Sequence, residues 1–496
     1  RTVAQQRIYR LEPGPFRELD AWLAPAQTDW VVVGFGRGTI GHETLAHHGR
    51  NLPRAQRGGT VTDGQLALYA KGRIKGQWLL TVAYDSDRRR DPERGLTGVI
   101  DPNRYYTVYG DGTDQGYDAA TAGKLYLRLE RPQFVALFGD LETGMTDTQL
   151  TRYSRSLTGA KVAYDGGTVR ATGFAAEADT RYARDELPGN GLTGPYRLSR
   201  RLIVPNSDRL AIEVRGRLRP QLVKSRTALT RHIDYDIDVD LGTVRFRTPV
   251  LSRDANRDPQ VIVAEYEVDG TRDGQLVAGG RVAARLLDRQ MEVGVAGVRD
   301  RTAGNGALAG VDLKLTRGAT IFRSEVATGG SFGLNSGTAW MSEVEHHGAR
   351  LDVLAYARAQ ELGFGLGQQN LVEAGTLRTG LDGRIALTNA VTLTGTGWYQ
   401  RQLSGPGERI AADARVEWRR AQGTLFVGGQ LALDTGLDGG DRRSALLTLG
   451  GSRALFGERL VVTGQTQFAP TGDKGAGDFP VRHQITAAFR VKPGVR

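Results

Sequence analysis

The sequence predicts an all-β protein: a large antiparallel transmembrane β-barrel of roughly 18 to 20 strands, with a small β-sandwich inserted partway along it. Long runs alternate apolar and polar residues, which is the pattern of a strand with two different faces. No run approaches the roughly 18 apolar residues that a spanning helix needs. Only 39% of the 496 residues are hydrophobic, which a barrel tolerates because every second residue faces lipid.

The chain divides into four parts by pattern. Residues 1–29 form a lead-in with a short amphipathic segment at 16–23, which we interpret as a short helix or an irregular segment. Residues 30–189 form the first part of the barrel, and residues 190–270 form the insert. Residues 271–496 form the second part of the barrel.

The second part of the barrel has the clearest strand pattern. Val282, Ala284 and Leu286 alternate with Arg281 and Arg285, and comparable runs continue to 481–491 at the end of the chain. Each run lasts about nine to twelve residues, as expected for a tilted membrane-crossing strand. Glycine-rich turns separate the runs, which predicts one hairpin after another.

The two predicted faces favour a barrel over a soluble sandwich. A sandwich needs large side chains on its inner faces, whereas here the apolar face is rich in Ala and Gly and the other face is charged. We expect the charged face to line the lumen, and we expect Trp398, Tyr399 and Trp418 to be interfacial aromatics. The predicted lumen-facing residues are Arg281, Arg285, Arg350, Arg358, Arg378, Arg384, Arg409 and Arg415.

The insert has shorter and more closely spaced strands, among them a strand at 235–238 that enters a tight hairpin. Asp236 and Asp238 are candidate Ca²⁺ ligands, because hard cations bind oxygen ligands. An acidic edge that discourages strand pairing explains the same residues more simply. The insert could be a lumenal plug, a periplasmic domain or an extracellular domain.

Charge and motifs limit the function classes. The net charge is +11, which reflects either a GC-rich genome or a basic lumen that attracts anions. Cysteine is absent, which excludes disulfides, Cys-ligated zinc and thiol catalysis. No zinc-protease, serine-hydrolase or phosphate-loop motif occurs. We expect no enzyme activity, no cofactor and no nucleic-acid partner.

Several segments resemble a group of large, poorly characterised outer-membrane proteins of Gram-negative bacteria. The resemblance implies a barrel in the bacterial outer membrane and implies no substrate. Fimbrial ushers share the architecture of a barrel interrupted by a sandwich, by analogy only. The segments that carry the resemblance are WLLTVAYDSD at 78–87, YYTVYGD at 105–111, GYDAA at 116–120, KLYLRLER at 124–131, FGD at 138–140, YSRSLTG at 153–159, RLIVPNS at 201–207 and DYDID at 234–238.

Two functions remain open. The first is a gated channel or translocation conduit whose basic lumen favours anionic cargo. The second is a structural barrel that anchors a surface layer or an envelope complex. Outer-membrane lipid is the expected partner in both, and other envelope proteins join it in the second.

Overall fold

The computed structural model describes residues 30–43, 59–75, 77–86, 124–178, 180–205, 207–216, 219–254, 259–269, 274–302, 305–330, 336–369, 373–436, 440–457, 459–470 and 481–489. No helix in these ranges is long and apolar enough to cross a membrane. The predicted lead-in at 1–29, and the resemblance segments at 105–111 and 116–120, lie outside the described residues.

In the described part of the chain twenty strands form one antiparallel sheet, which confirms the predicted all-β class and falls within the predicted range of 18 to 20 strands. They are β1 Val31–Glu43, β2 Gly59–Ile74, β3 Trp78–Asp85, β4 Leu125–Arg131, β5 Phe134–Glu142, β6 Ser156–Asp165, β7 Val169–Ala178, β15 Gln275–Leu286, β16 Met291–Asp300, β17 Gly306–Arg317, β18 Thr320–Gly330, β19 Gly337–His347, β20 Leu351–Gln360, β21 Thr376–Ala386, β22 Val391–Gln402, β23 Glu408–Arg420, β24 Gly423–Thr435, β25 Arg442–Leu455, β26 Leu460–Phe468 and β27 Arg482–Phe489.

Each strand of the large sheet pairs with its neighbours along the chain, except at one junction. There β7 pairs with β15, and Ala178 at the end of β7 lies opposite Gln275 at the start of β15. The intervening segment therefore leaves and rejoins the sheet at one point. Within the described residues β27 and β1 are not paired, so the sheet is open between its first and last strands.

The apolar face of the large sheet is an exposed, continuous hydrophobic surface. Five side chains lie in register across β15 to β19, namely Val282, Val295, Val311, Val326 and Trp340. The four valines are each more than half exposed. Valine favours strands but gains little by facing water. This row confirms the predicted alternation and gives the sheet one hydrophobic surface.

Two smaller sheets lie between β7 and β15. Their strands are β8 Thr180–Pro188, β9 Tyr196–Arg197, β10 Arg209–Gly216, β11 Arg219–Leu229, β12 Tyr235–Asp238, β13 Thr243–Phe246 and β14 Gln260–Asp269. Four of them form a sheet in the order β11–β10–β14–β8, and three form a sheet in the order β12–β13–β9. The four-stranded sheet thus includes β8, which precedes residue 190, and the predicted domain boundaries stay a prediction.

The small sheets share one hydrophobic cluster. Tyr235 and Phe246 from the three-stranded sheet pack with Ile262 and Tyr266 from the four-stranded sheet. The predicted hairpin at 235–238 is confirmed as β12 paired with β13. Its turn requires Gly242, since φ is +64° there and a Cβ would lie 2.2 Å from the Arg200 carbonyl oxygen.

The other face of the large sheet, here called the polar face, bears Arg281 and the residues in register with it. Residues 143–155, which connect β5 and β6, fold onto this face, and we call them the inner loop. Met145 and Tyr153 of this loop pack on Phe174, Val277 and Val298 from β7, β15 and β16. Small apolar residues of these strands therefore form a hydrophobic core with the loop, on the face that the sequence predicts to be charged.

A buried arginine cluster and a charged cavity on the polar face

The inner loop is held in place by its own backbone bridge. Met145 and Tyr153 exchange two backbone hydrogen bonds of 3.0 and 2.9 Å. The Tyr153 ring stacks on Phe174 with centroids 5.8 Å apart. The loop is thus a compact turn that lies on the sheet, with its backbone donors and acceptors largely satisfied.

Arg155 is the centre of a buried polar group that joins three parts of the molecule. Its side chain is 0% exposed and binds Glu267 of β14 through Nε–Oε1 and Nη2–Oε2 contacts of 2.9 and 2.5 Å. Its Nη1 binds Asp300 of β16 at 2.9 Å and Thr302 at 3.0 Å. One guanidinium therefore connects the inner loop, the small sheets and the large sheet. We call Arg155, Tyr153, Glu267, Asp300 and Thr302 the Arg155 cluster.

The protonation states in this cluster follow from burial and charge. Burial raises the pKa of the Tyr153 phenol well above its ordinary value, so the phenol stays neutral and donates to Asp300 at 2.7 Å. Burial acts to lower the pKa of Arg155, yet the carboxylates of Glu267 and Asp300 raise it above its ordinary value. Arg155 thus stays charged, whereas burial raises the pKa of the Glu267 carboxyl above its ordinary value although Arg155 opposes this.

A second anchor fixes the tip of the inner loop. The carboxylate of Glu325 on β18 accepts the backbone N–H groups of Gln149 at 2.9 Å and of Leu150 at 2.8 Å. Glu325 is buried, and a buried carboxylate is costly unless it is bonded in this way. The Glu325 carboxylate therefore holds the tip of the inner loop, and the loop N–H groups stabilise the buried carboxylate in return.

A third anchor comes from residues 361–369, which follow β20. Gln369 donates through Nε2 to the carbonyl oxygens of Leu150 and Arg152, at 3.3 and 3.0 Å. Gln368 accepts the Ser154 N–H through Oε1 at 2.7 Å. The inner loop and residues 361–369, which follow strands β5 and β20 respectively, thus meet over the polar face.

Seven of the eight predicted arginines lie on strands, in register with residues of the polar face. Most of them are bound to carboxylates of the same face. Arg281 binds Asp312 and Glu292 at 2.5 and 2.9 Å, and Arg285 binds Asp165 at 2.7 Å. Arg358 binds Glu373 at 3.2 Å, Arg409 binds Asp434 at 3.2 Å, and Arg415 binds Glu417 at 3.0 Å. The charge of this row is therefore largely compensated.

Arg378 is buried instead under an aromatic ring. Its guanidinium lies 3.9 Å from the centroid of Trp398, a cation–π contact. Trp398 is 7% exposed and faces the polar side, so the expectation that it is an interfacial aromatic is wrong. Trp418 is 39% exposed and lies on the apolar face, as expected. Both tryptophans lie in strands with the same alternating pattern, but the strand register places Trp398 on the polar face and Trp418 on the apolar face.

Arg384 and Arg350 differ from the others. Arg384 lies on β21 opposite Asp352 and Thr394, and its side chain is exposed. Arg350 lies in the turn between β19 and β20 rather than on a strand. It is the predicted residue that the structure does not place in the charged row.

Asp236 and Asp238 are used for local structure. Asp236 binds Arg247 at 2.7 Å and His232 at 3.2 Å. Asp238 accepts the backbone N–H groups of Asp240 and Leu241. Across the described ranges no three His, Asp or Glu side chains are grouped so that they could hold a metal ion.

A cavity of about 300 Å³ lies beside the cluster, between the inner loop, the four-stranded sheet and β19–β21. Sequence reasoning identified neither the cavity nor the cluster. Arg155 is 112 positions from Glu267 and 145 from Asp300. Partners this far apart in sequence leave no local pattern that could predict them. The only sequence signal at Arg155 is its place in the 153–159 segment of the resemblance.

Comparison with known proteins gives structural likeness only. No family model and no curated protein matches the chain. The P pilus usher PapC translocation pore is 12% identical, with 92% of each chain covered and a TM-score of 0.29. A BenF-like porin from Pseudomonas fluorescens Pf-5 is 8% identical, with 88% of this chain and 97% of that chain covered and a TM-score of 0.31. OccK2 (OpdF) of Pseudomonas aeruginosa, in complex with glucuronate, is 7% identical, with 89% and 98% covered and a TM-score of 0.31.

Proposed function

We propose that the chain is a gated channel of the bacterial outer membrane. In this proposal the large sheet closes into a barrel, and the inner loop and the small sheets occupy its lumen as a plug. The Arg155 cluster is the observation that carries it, because it binds both the loop and the small sheets to the polar side of one wall.

The surface chemistry supports a membrane location. The row from Val282 to Trp340 is exposed and apolar across five strands. A water-soluble sheet would cover such a row, since exposed apolar patches of this extent are rare in soluble monomers. Strands of ten to twelve residues such as β15, β16 and β17 are also long enough to cross a bilayer when tilted.

Closure is supported by the strand count. Twenty is an even number, so β1 and β27 run in opposite directions and can complete an antiparallel barrel. A closed wall would also satisfy the unpaired backbone groups of both edge strands, which lipid cannot do.

The small sheets support the plug. They leave the wall at Ala178 and return at Gln275, two residues that are paired. Their shared hydrophobic cluster supports a small β-sandwich domain, which we propose as the inserted unit. Anionic cargo is supported by the net charge of +11.

Planar-bilayer recording of two proteins tests this proposal. One is the full chain, and the other replaces residues 180–269 with a short Gly-Ser linker between the adjacent ends of β7 and β15. We expect small or infrequent currents from the full chain and large, anion-preferring currents from the shortened one. Heat-modifiable mobility on gels serves as the control that both have folded.

The alternative is a structural barrel that anchors other envelope components. The tight packing of the inner loop on the wall is the observation that favours it, because a permanently filled lumen does not conduct. Silence of both folded proteins in the bilayer would support the anchor and contradict the channel.

A further inference from the structure

The cavity beside the Arg155 cluster has an excess of positive charge. Five arginines and three glutamates line it. Glu186 and Glu213 are bound to Arg215, each at 2.7 Å. The third carboxylate, that of Glu373, is bound to Arg358 at 3.2 Å. The acidic groups are thus already engaged by arginines of the same cavity.

Arg152 is the arginine of this set that lacks such a partner. Among the residues that the structure describes, no carboxylate lies within ion-pair distance of its guanidinium. Its side chain is half-buried between the inner loop and the small sheets. A cation in this position attracts an anion from solution, since the surrounding protein screens it less than water does.

The cavity also has buried amide donors that lack acceptors. Gln360 is 4% exposed and Gln368 is 7% exposed, and both line the cavity. In the described part of the chain neither Nε2 group has a hydrogen-bond partner. A buried donor without an acceptor costs free energy, so a site of this kind favours a ligand that supplies one.

The orientation of Gln368 is fixed by its other end. Its Oε1 accepts the Ser154 N–H at 2.7 Å, so Nε2 is the end left without a partner. The neighbouring Gln369 shows the contrast, because both ends of its amide are bonded to the protein. The cavity therefore presents a cation, Arg152, and two N–H donors that lack acceptors.

We propose that this cavity binds a small oxyanion, a carboxylate or a phosphate, through Arg152, Gln360 and Gln368. A volume of about 300 Å³ suits a ligand of a few carbon atoms. A neutral sugar fits less well, because it carries no negative charge for Arg152 to bind. The role of the site as a cargo or gating site rests on the proposed channel, whereas binding itself is measurable without transport.

Isothermal titration of the full chain in detergent tests the site with three probes: succinate, inorganic phosphate and uncharged glucose. We expect saturable binding of at least one anion and none of glucose. Arg152→Gln and Gln360→Leu should each weaken binding about tenfold, as expected for a lost charge-assisted hydrogen bond. Gln400→Leu is the matched control, since Gln400 lies on the polar face of β22 outside the cavity, and it should bind like the wild type.

Comparison of the probes separates the two anion classes, because preference for succinate assigns a carboxylate site and preference for phosphate assigns a phosphate site. If neither anion binds saturably, or if Arg152→Gln and Gln360→Leu bind as well as Gln400→Leu, the proposal is overturned. Gln360→Glu keeps the side-chain size and should repel the anion, which covers the case in which the leucine variant does not fold. If the protein conducts but binds no anion, only the proposed anion site is contradicted. If it binds an anion but neither the full chain nor the shortened chain conducts, only the proposed channel function is contradicted.

Discussion

Arg155 and Glu267 form a two-bond ion pair, with Nε–Oε1 and Nη2–Oε2 distances of 2.9 and 2.5 Å, across the boundary between the inner loop and the small sheets. The guanidinium is fully buried and also binds Asp300 of the large sheet. The pair therefore couples the position of the small sheets to that of the wall.

Replacement of Arg155 by Met should release this coupling. Two buried carboxylates, Glu267 and Asp300, would lose their cation, and breaking a buried pair costs about 3–5 kcal/mol. We expect a lower free energy of unfolding and more frequent channel opening, measured by chemical denaturation and bilayer recording. Arg170→Met, which breaks the half-exposed pair with Asp147, should change stability by about 1 kcal/mol or less. Equal effects of the two variants would contradict a special role for Arg155.

Glu325→Ala should free the inner loop. The substitution removes the acceptor of the Gln149 and Leu150 N–H groups, and a hydrogen bond to a charged group contributes about 1.5–3 kcal/mol. A spin label at Thr146→Cys, an exposed loop position, should report faster motion in this variant. Labelled protein with Ser324→Ala, the neighbouring position on β18, should keep the wild-type spectrum.

The two faces of the large sheet should tolerate arginine differently. Val311→Arg places a charge in the middle of the exposed apolar row, which in a bilayer should cost about 2–4 kcal/mol of folding free energy. Thr463→Arg adds the same side chain to the polar face of β26 and should cost much less. Urea titration of both variants in lipid vesicles measures the difference. Equal costs would contradict the assignment of the faces.

Closure of the barrel predicts contact between β1 and β27. The chain has no cysteine, so Val33→Cys can be combined with a single cysteine at each of positions 482–488 without background. Strands that are paired bring some Cα atoms within disulfide range. We expect one or two combinations to cross-link within a single molecule in membranes. Cross-links that form only between molecules would indicate an open sheet.

The small sheets should lose stability in acid through Glu186. Although burial opposes it, the hydrogen bonds from Arg215 and Arg184 lower the pKa of Glu186 below its ordinary value of 4.5. A lowered pKa stabilises the fold above pH 4.5, and this contribution is lost as the pH falls through the lowered value. Calorimetry should show Glu186→Gln less stable than the wild type at pH 6, with a smaller difference well below pH 4.5. A constant difference would contradict this role.

The strand class, the strand number and the division into two faces could be predicted from the sequence, because the period of two is local and each strand carries it independently. Val282 was predicted on the apolar face in this way, and the register aligns it with Val295 and Val311 in a row. The hairpin at 235–238 could also be predicted, because its signals lie within a few residues of each other.

The site depended on the tertiary structure. Alternation places Trp398 and Trp418 on strands, but only the register decides that one stacks on Arg378 and that the other faces outward. It also decides that Arg155 meets Glu267 and Asp300, and that Gln360 and Gln368 face a common cavity. The sequence by itself determined a sheet with an apolar face and a charged polar face. The packing of the inner loop and the small sheets against the polar face was decided by contacts between distant segments. A buried charge such as Arg155 is stable only where such segments bring it a partner.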